Sequence, residues 1–203
     1  MKLSIVSGVI GLLVMSLSGC STRRTDMIAH RGASYLAPEN TRAAVLLGWE
    51  KDVDVEVDVH LSLDKRIMVI HDATTEHIAG IDLKVSETHA EALRKLDMGS
   101  FKAQEFAGEQ MPYLEEIIRT IPPGRKLYVE IKCGQEILPH LVDVIRKSGK
   151  MSQIVVIGFD LKTVARCKQV LDVPTYWLKG TAKDKETDTW IPHDLSLVQT
   201  VQE

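Results

Sequence analysis

The chain has 203 residues, 44% of them hydrophobic and 26% charged, with a formal net charge of -3. That length and balance suit one soluble globular domain with a real hydrophobic core. They speak against a nucleic-acid-binding surface or a polybasic membrane surface, both of which need a marked excess of lysine and arginine.

The first segment in chain order is not structural. Lys2 is followed by LSIVSGVIGLLVMSLSGC, an uncharged apolar run shorter than a comfortable membrane span and ending in small residues. Residues 1–20 therefore read as a secretory signal. The closing LSGC resembles the lipobox of bacterial lipoproteins, which implies that Cys20 is lipidated on its thiol and becomes the new N-terminus; an uncleaved anchor and an ordinary signal peptide are the alternatives. The protein is then expected to be exported and held to a membrane through Cys20, facing the periplasm or the cell exterior, with Ser21 leaning toward the outer membrane. Residues 21–25 are a short tether. Cys133 and Cys167, in different segments, read as two separate, partly buried thiols instead of a disulfide framework.

One domain is expected over 26–203, without internal repeats or low-complexity tracts. Short β-rich runs alternate with helical patterns: MIAH as a strand, NTRAAVLLGWE as a helix with Asn40 or Thr41 as its cap, then VDVEVDVHL and RIMVIHD as strands. SETHAEALRKL and YLEEIIRTI read as helices, the second with Pro112 near its start. RKLYVEIK, QIVVIGF and PTYWL complete a set of six strands, separated by helices in EILPHLVDVIRKSG and LKTVARCKQVL, the latter capped by Asp160. The βαβ rhythm points to a parallel sheet or barrel.

VDVEVDVH has a period of two, so Val53, Val55, Val57 and Val59 share one face, and Asp54, Glu56, Asp58 and His60 the other. On an antiparallel sheet the acids would simply face water. In a parallel barrel the valines would pack against helices and the acids would point inward, where clustered carboxylates need a cation among them. LYVEIK alternates in the same way and puts Glu130 and Lys132 on one face; IMVIHD ends in His71 and Asp72, as MIAHR ends in His30 and Arg31. Four strands thus finish in ionisable residues, as expected for strands converging on the mouth of a TIM barrel.

HRGASYLAPENT, VEVDV, VIHD, MPYLEE and VEIK, in that order, resemble the glycerophosphodiester phosphodiesterase family, and the resemblance extends from about residue 27 through PTYWL. It implies a TIM barrel that cleaves glycerophosphodiesters to an alcohol and glycerol 3-phosphate with a divalent cation, Ca²⁺ or Mg²⁺. Carried onto this chain, it implies His30 and His71 as catalytic histidines, Glu56, Asp58 and Glu130 as metal ligands, and Arg31 and Lys132 on the substrate phosphate. Glu39 and Asp72 take supporting places, the latter orienting its turn. A hard cation on oxygen ligands would neutralise an already anionic phosphodiester; Arg31 can grip two phosphate oxygens, whereas Lys132 acts as a point charge. Imidazole suits both proton transfers near neutral pH.

Asp54 and His60 share the acidic face without a match in the motifs and read first as internally hydrogen-bonded or solvent-facing groups, with a place in the site as the alternative. His77, His89, His140 and His193 are expected on the surface. Trp49 and Trp177 read first as packing, and Phe159 and Trp177 alternatively as a wall on the alcohol side of the pocket.

The family barrel has two further strands after PTYWL, and no matching motif follows here. An incomplete barrel with about six of eight strands is the expectation, either with exposed edges on its first and last strands or completed by another chain in an oligomer. The activities in competition are the metal-dependent phosphodiesterase, a catalytically inactive truncated lipoprotein or partner-binding fragment of that fold, and a related phosphodiesterase or phospholipase acting on another head group. A small-molecule substrate is expected in the first and last cases, and no nucleic acid in any.

Overall fold

The computed structural model describes residues 27–180, together with 182–183 and 190–191. The leader with Cys20, the tether, and most of the polar tail with His193 lie outside the described residues.

β1 (Ile28–Ala29) leads through a loop into α1 (Arg42–Glu50). Of the two candidate caps Thr41 takes the position, its Oγ1 accepting the Ala44 N–H at 3.3 Å and satisfying one of the free donors of the first turn. β2 (Asp54–Leu61) follows, then a tight turn and β3 (Ile67–Val69). A long excursion carries α2 (Glu76–Ala79) and α3 (Ala90–Leu93) before α4 (Leu114–Thr120). Next come β4 (Leu127–Ile131), α5 (Leu138–Ser148) and β5 (Ile154–Gly158). α6 (Leu161–Val170) starts at Asp160, whose side chain accepts the Thr163 N–H at 2.7 Å, and β6 (Thr175–Trp177) follows it. β7 (Ala182–Lys183) and β8 (Trp190–Ile191) pair antiparallel in a separate two-stranded ladder.

β1, β2, β4, β5 and β6 lie side by side in chain order and all run parallel. A sheet that keeps chain order has no switch point, which is the arrangement of a (β/α) barrel wall and not of a doubly wound sheet. β3 departs from the expectation: it runs antiparallel to β2, with Val59 opposite Val69. Residues 62–66 are too short a connection for a parallel crossover, and Ser62 N–H donates to the Arg66 carbonyl to close a hairpin. Among the described residues the parallel wall therefore has five strands, and the sixth is folded back on β2.

SETHAEALRKL does not form one helix. Thr88 and His89 are extended, Thr88 gives its carbonyl to Leu63 N–H, and Ala90 N–H donates to the Asp64 carboxylate, so the hairpin captures the middle of the segment. Only a 3-10 turn and the four residues of α3 remain helical.

β2 is buried on both faces. Val55, Val57 and Val59 are fully covered in the main core with Val45, Leu114, Ile117, Leu127 and Ile154, while Glu56, Asp58 and His60 on the other face are 5%, 0% and 8% exposed. Each such valine or isoleucine contributes about 1.5–3 kcal/mol of burial, enough to hold a strand whose other face carries acids. A second core of Met68, Ile70, Val85, Leu93 and Met111 seats the excursion on β3. Cys133 and Cys167 are free thiols, and burial pushes both up to about 11.

Candidate active site

The loop after β1 bends sharply to return to β2. Arg31 and Gly32 both have positive φ (54° and 75°), and a Cβ on Gly32 would lie 2.6 Å from the Ala44 carbonyl carbon, so only glycine fits that position. The bend presents two backbone donors to one residue: Gly32 N–H reaches the Glu56 carbonyl at 2.9 Å, and Arg31 N–H reaches Glu56 Oε2 at 2.7 Å. The Arg31 guanidinium then spans two carboxylates, with Nη1 2.8 Å from Glu39 Oε1 and Nε 3.5 Å from Asp58 Oδ2. Glu39 thus braces Arg31 and stands outside the carboxylate cluster.

Glu56, Asp58 and Glu130 each bring an oxygen to a common point, all within 4.8 Å of one another, because Asp58 and Glu130 sit opposite each other in register on β2 and β4. Glu56 Oε1 and Asp58 Oδ1 are buried and have no hydrogen-bond partner. Such orphaned acceptors are costly in an interior unless something positive meets them, and three hard oxygens from three carboxylates match the donor set of a divalent cation. Burial, and then the neighbouring Asp58 carboxylate, push Glu56 up to about 8 against the pull of the Arg31 N–H.

Lys132 follows β4 and closes the cluster from the other side. Its Nζ lies 2.8 Å from Glu130 Oε1, 3.7 Å from Asp58 Oδ1 and 3.1 Å from His71 Nε2. An ammonium offers only protons, so the His71 Nε2 facing it carries the lone pair, and the proton sits on Nδ1, 2.6 Å from Asp72 Oδ1. Asp72 therefore orients His71 and does not join the carboxylate cluster. Phe159, half exposed at the end of β5, has its ring 5.9 Å from the Lys132 ammonium and is tied to Trp177, whose indole N–H donates to its carbonyl at 3.0 Å.

Arg31, Glu39, Glu56, Asp58, His71, Asp72, Glu130 and Lys132 thus meet in one place. His30 stands beside this network and outside its hydrogen bonds, exposed at the end of β1, where it lines a 370 Å³ hollow with Ala29, Gly32 and Tyr35. Asp54 is at the opposite end of β2, accepting the Lys126 N–H, and has no part in the cluster. His77 and His89 are exposed and His140 half-buried, away from it. Trp49 packs on the core and donates to the Thr120 hydroxyl.

Two further buried residues hold the site through hydrogen bonds whose partners the sequence did not name. His60 is buried, burial pushes it down, and its Nε2 donates to the His71 carbonyl at 3.0 Å, fixing the chain that carries His71. Asn40, read as a helix cap, instead bonds Asp58 at two points. Its only sequence signal is a polar residue beside Glu39 in APENT.

Chemically, the site pairs an anionic cluster fit for a cation with two basic side chains and an imidazole whose Nε2 lone pair accepts from one of them, Lys132. That combination suits an anionic ester whose leaving group needs a proton transfer.

The family model described as glycerophosphoryl diester phosphodiesterase matches residues 30–202. The chain is 34% identical over 154 residues to the Bacillus subtilis protein YhdW and 36% identical over 129 residues to a glycerophosphodiester phosphodiesterase of Caldanaerobacter subterraneus; the matches cover 73% and 63% of this chain. They span only 63% and 53% of those relatives' own lengths. An Oleispira antarctica phosphodiesterase solved with its product sn-glycerol-3-phosphate superposes with a TM-score of 0.67 at 31% identity, over 71% of this chain and 62% of that one.

Proposed function

Because the chain belongs to the glycerophosphoryl diester phosphodiesterase family, we propose that it hydrolyses glycerophosphodiesters to an alcohol and glycerol 3-phosphate. The observation that carries this reading is the meeting of three buried carboxylates with Arg31, Lys132 and His71, where Arg31 and Lys132 follow β1 and β4.

Glu56, Asp58 and Glu130 would hold a divalent cation, Ca²⁺ or Mg²⁺, which when bound supplies Lewis-acid stabilisation of charge on the phosphoryl oxygens. Arg31, braced by Glu39, grips the phosphate through its planar fork, and Lys132 adds a point charge. His71, held by Asp72, takes a proton from the attacking water at Nε2 once Lys132 has turned from that lone pair to the phosphate, as the new P–O bond forms. His30 gives a proton to the alkoxide as its P–O bond breaks. Phe159 and Trp177 lie on the side of Lys132 where the alcohol would emerge. Export and anchoring to a membrane through Cys20 belong to the same proposal, and mass spectrometry of the mature N-terminus tests them by seeking a lipidated Cys20.

The proton assignment is tested with two substrates. His71→Ala should lose about 10²–10⁴-fold on both glycerophosphocholine and the p-nitrophenyl ester of glycerol 3-phosphate. His30→Ala should lose as much on the first and little on the second, because nitrophenolate leaves without a proton. Near wild-type release of glycerol 3-phosphate from glycerophosphocholine by either variant removes that residue from the mechanism.

A further inference from the structure

The N–H and C=O groups of residues 54, 56 and 58 point to the side of β2 that β1 occupies: Asp54 N–H donates to Met27 and the Glu56 carbonyl accepts from Gly32. β1 ends at Ala29, and on the same side Ile70 N–H reaches the Asp58 carbonyl only past that end. Between the two strands the sheet has a gap, which leaves the Asp58 N–H buried without a strand partner. Asn40 fills it. Its Oδ1 accepts the Asp58 N–H at 3.0 Å, and its Nδ2 donates to Asp58 Oδ2 at 2.9 Å.

Asn40 is itself 4% exposed and has φ +56°, a conformation asparagine tolerates better than most residues. Its own N–H donates to the Arg31 carbonyl at 3.0 Å, so the residue is anchored to the loop that carries the phosphate-facing arginine. A peptide N–H can only donate, and this fixes which way the amide lies.

The consequence for the cluster is a division of labour between oxygens. The β1–α1 loop takes one oxygen of each β2 acid, Glu56 Oε2 through Arg31 N–H and Asp58 Oδ2 through Asn40, and leaves Glu56 Oε1 and Asp58 Oδ1 without a hydrogen bond, the latter 3.7 Å from the Lys132 ammonium. We propose that Asn40 is a positioning residue for the cation site: its side-chain amide locks Asp58 in the rotamer that turns Oδ1 to the metal. Outer partners of this kind set both ligand direction and the cost of assembling the site. The inference rests on the reading of Glu56, Asp58 and Glu130 as a cation site.

The test is calorimetric titration of Mg²⁺ and Ca²⁺ into the full chain, for wild type, Asn40→Ala, Asn40→Asp and Glu130→Gln, with circular dichroism to establish folding. Asn40→Ala frees the Asp58 side chain, and Asn40→Asp keeps the acceptor for the Asp58 N–H but sets a carboxylate against Oδ2. Both should weaken metal binding by about 10–100-fold while folded. For Asn40→Ala, the metal concentration giving half-maximal turnover should rise by the same factor, with kcat recovering at saturating metal. Folded Asn40 variants that bind metal within twofold of wild type overturn the proposal and leave the cation site standing. A wild type that binds no cation, or binds it as well as Glu130→Gln does, overturns both.

Discussion

A carboxyl group buried beside another carboxylate keeps its proton far above its ordinary range, and Glu56 keeps its proton up to about pH 8. The folded protein then binds one more proton than the unfolded chain between about 4.5 and about 8. Metal-free stability should fall as pH rises through that window, being fully present below it, and this part of the slope should vanish in Glu56→Gln. A cation at the site must displace that proton, so its affinity should climb about tenfold per pH unit below pH 8 and flatten above. Melting temperature in chelator and metal titration at several pH values measure the two effects; equal slopes in wild type and Glu56→Gln would contradict the assignment. At the same scale, Gly32→Ala should destabilise by about 1–3 kcal/mol, read in denaturant unfolding, since both φ and the Ala44 backbone oppose a side chain there. Residue types with few bland uses were legible from sequence: acids alternating with valines on β2, and His-Arg-Gly at a strand end. Asn40 was not, and His60 was legible only as a group for internal hydrogen bonding, because their partners lie 18 and 11 residues away and nothing in local spacing records them.

The elements were legible where each has its own start signal. Thr41 and Asp160 cap α1 and α6 by side-chain acceptance, and replacing either by alanine should cost about 1 kcal/mol in denaturant unfolding without altering the site. The direction of β3 was not legible from its period of two, which is the same for parallel and antiparallel pairing. The short turn of residues 62–66 was the available signal, and it outweighs the family rhythm of alternating strands and helices. The hairpin also explains the broken helix around residue 89, since the excursion must fold onto β3 and gives up helical bonds to do so. Tyr113 holds that junction: its ring lies 3.9 Å from the Arg66 guanidinium carbon and 4.5 Å from that of Arg94, and its hydroxyl donates to Glu91 at 3.0 Å.

For the molecule as a whole, the parallel register sets the residues just past β1 and β4 beside β2, and the folded-back β3 returns His71 to the same level, so groups from four separate stretches of chain meet: Arg31, Glu56 with Asp58, His71 with Asp72, and Glu130 with Lys132. The apolar faces of α1, α4, α5 and α6 hold that wall from outside, and Ile117→Ala, at a fully buried contact, should cost about 2–5 kcal/mol. Barrel class and family were readable because five motifs keep their order along the chain. The proposed function requires that the buried carboxylates bind a cation and that the site around them cleave glycerophosphodiesters. Its most direct test is release of glycerol 3-phosphate from glycerophosphocholine by EDTA-stripped protein as Mg²⁺ or Ca²⁺ is restored, for wild type and Asp58→Asn. The account predicts turnover that returns with metal in the wild type and stays at least about 10²-fold lower in the folded variant; equal rates with and without metal, or in both proteins, would contradict it.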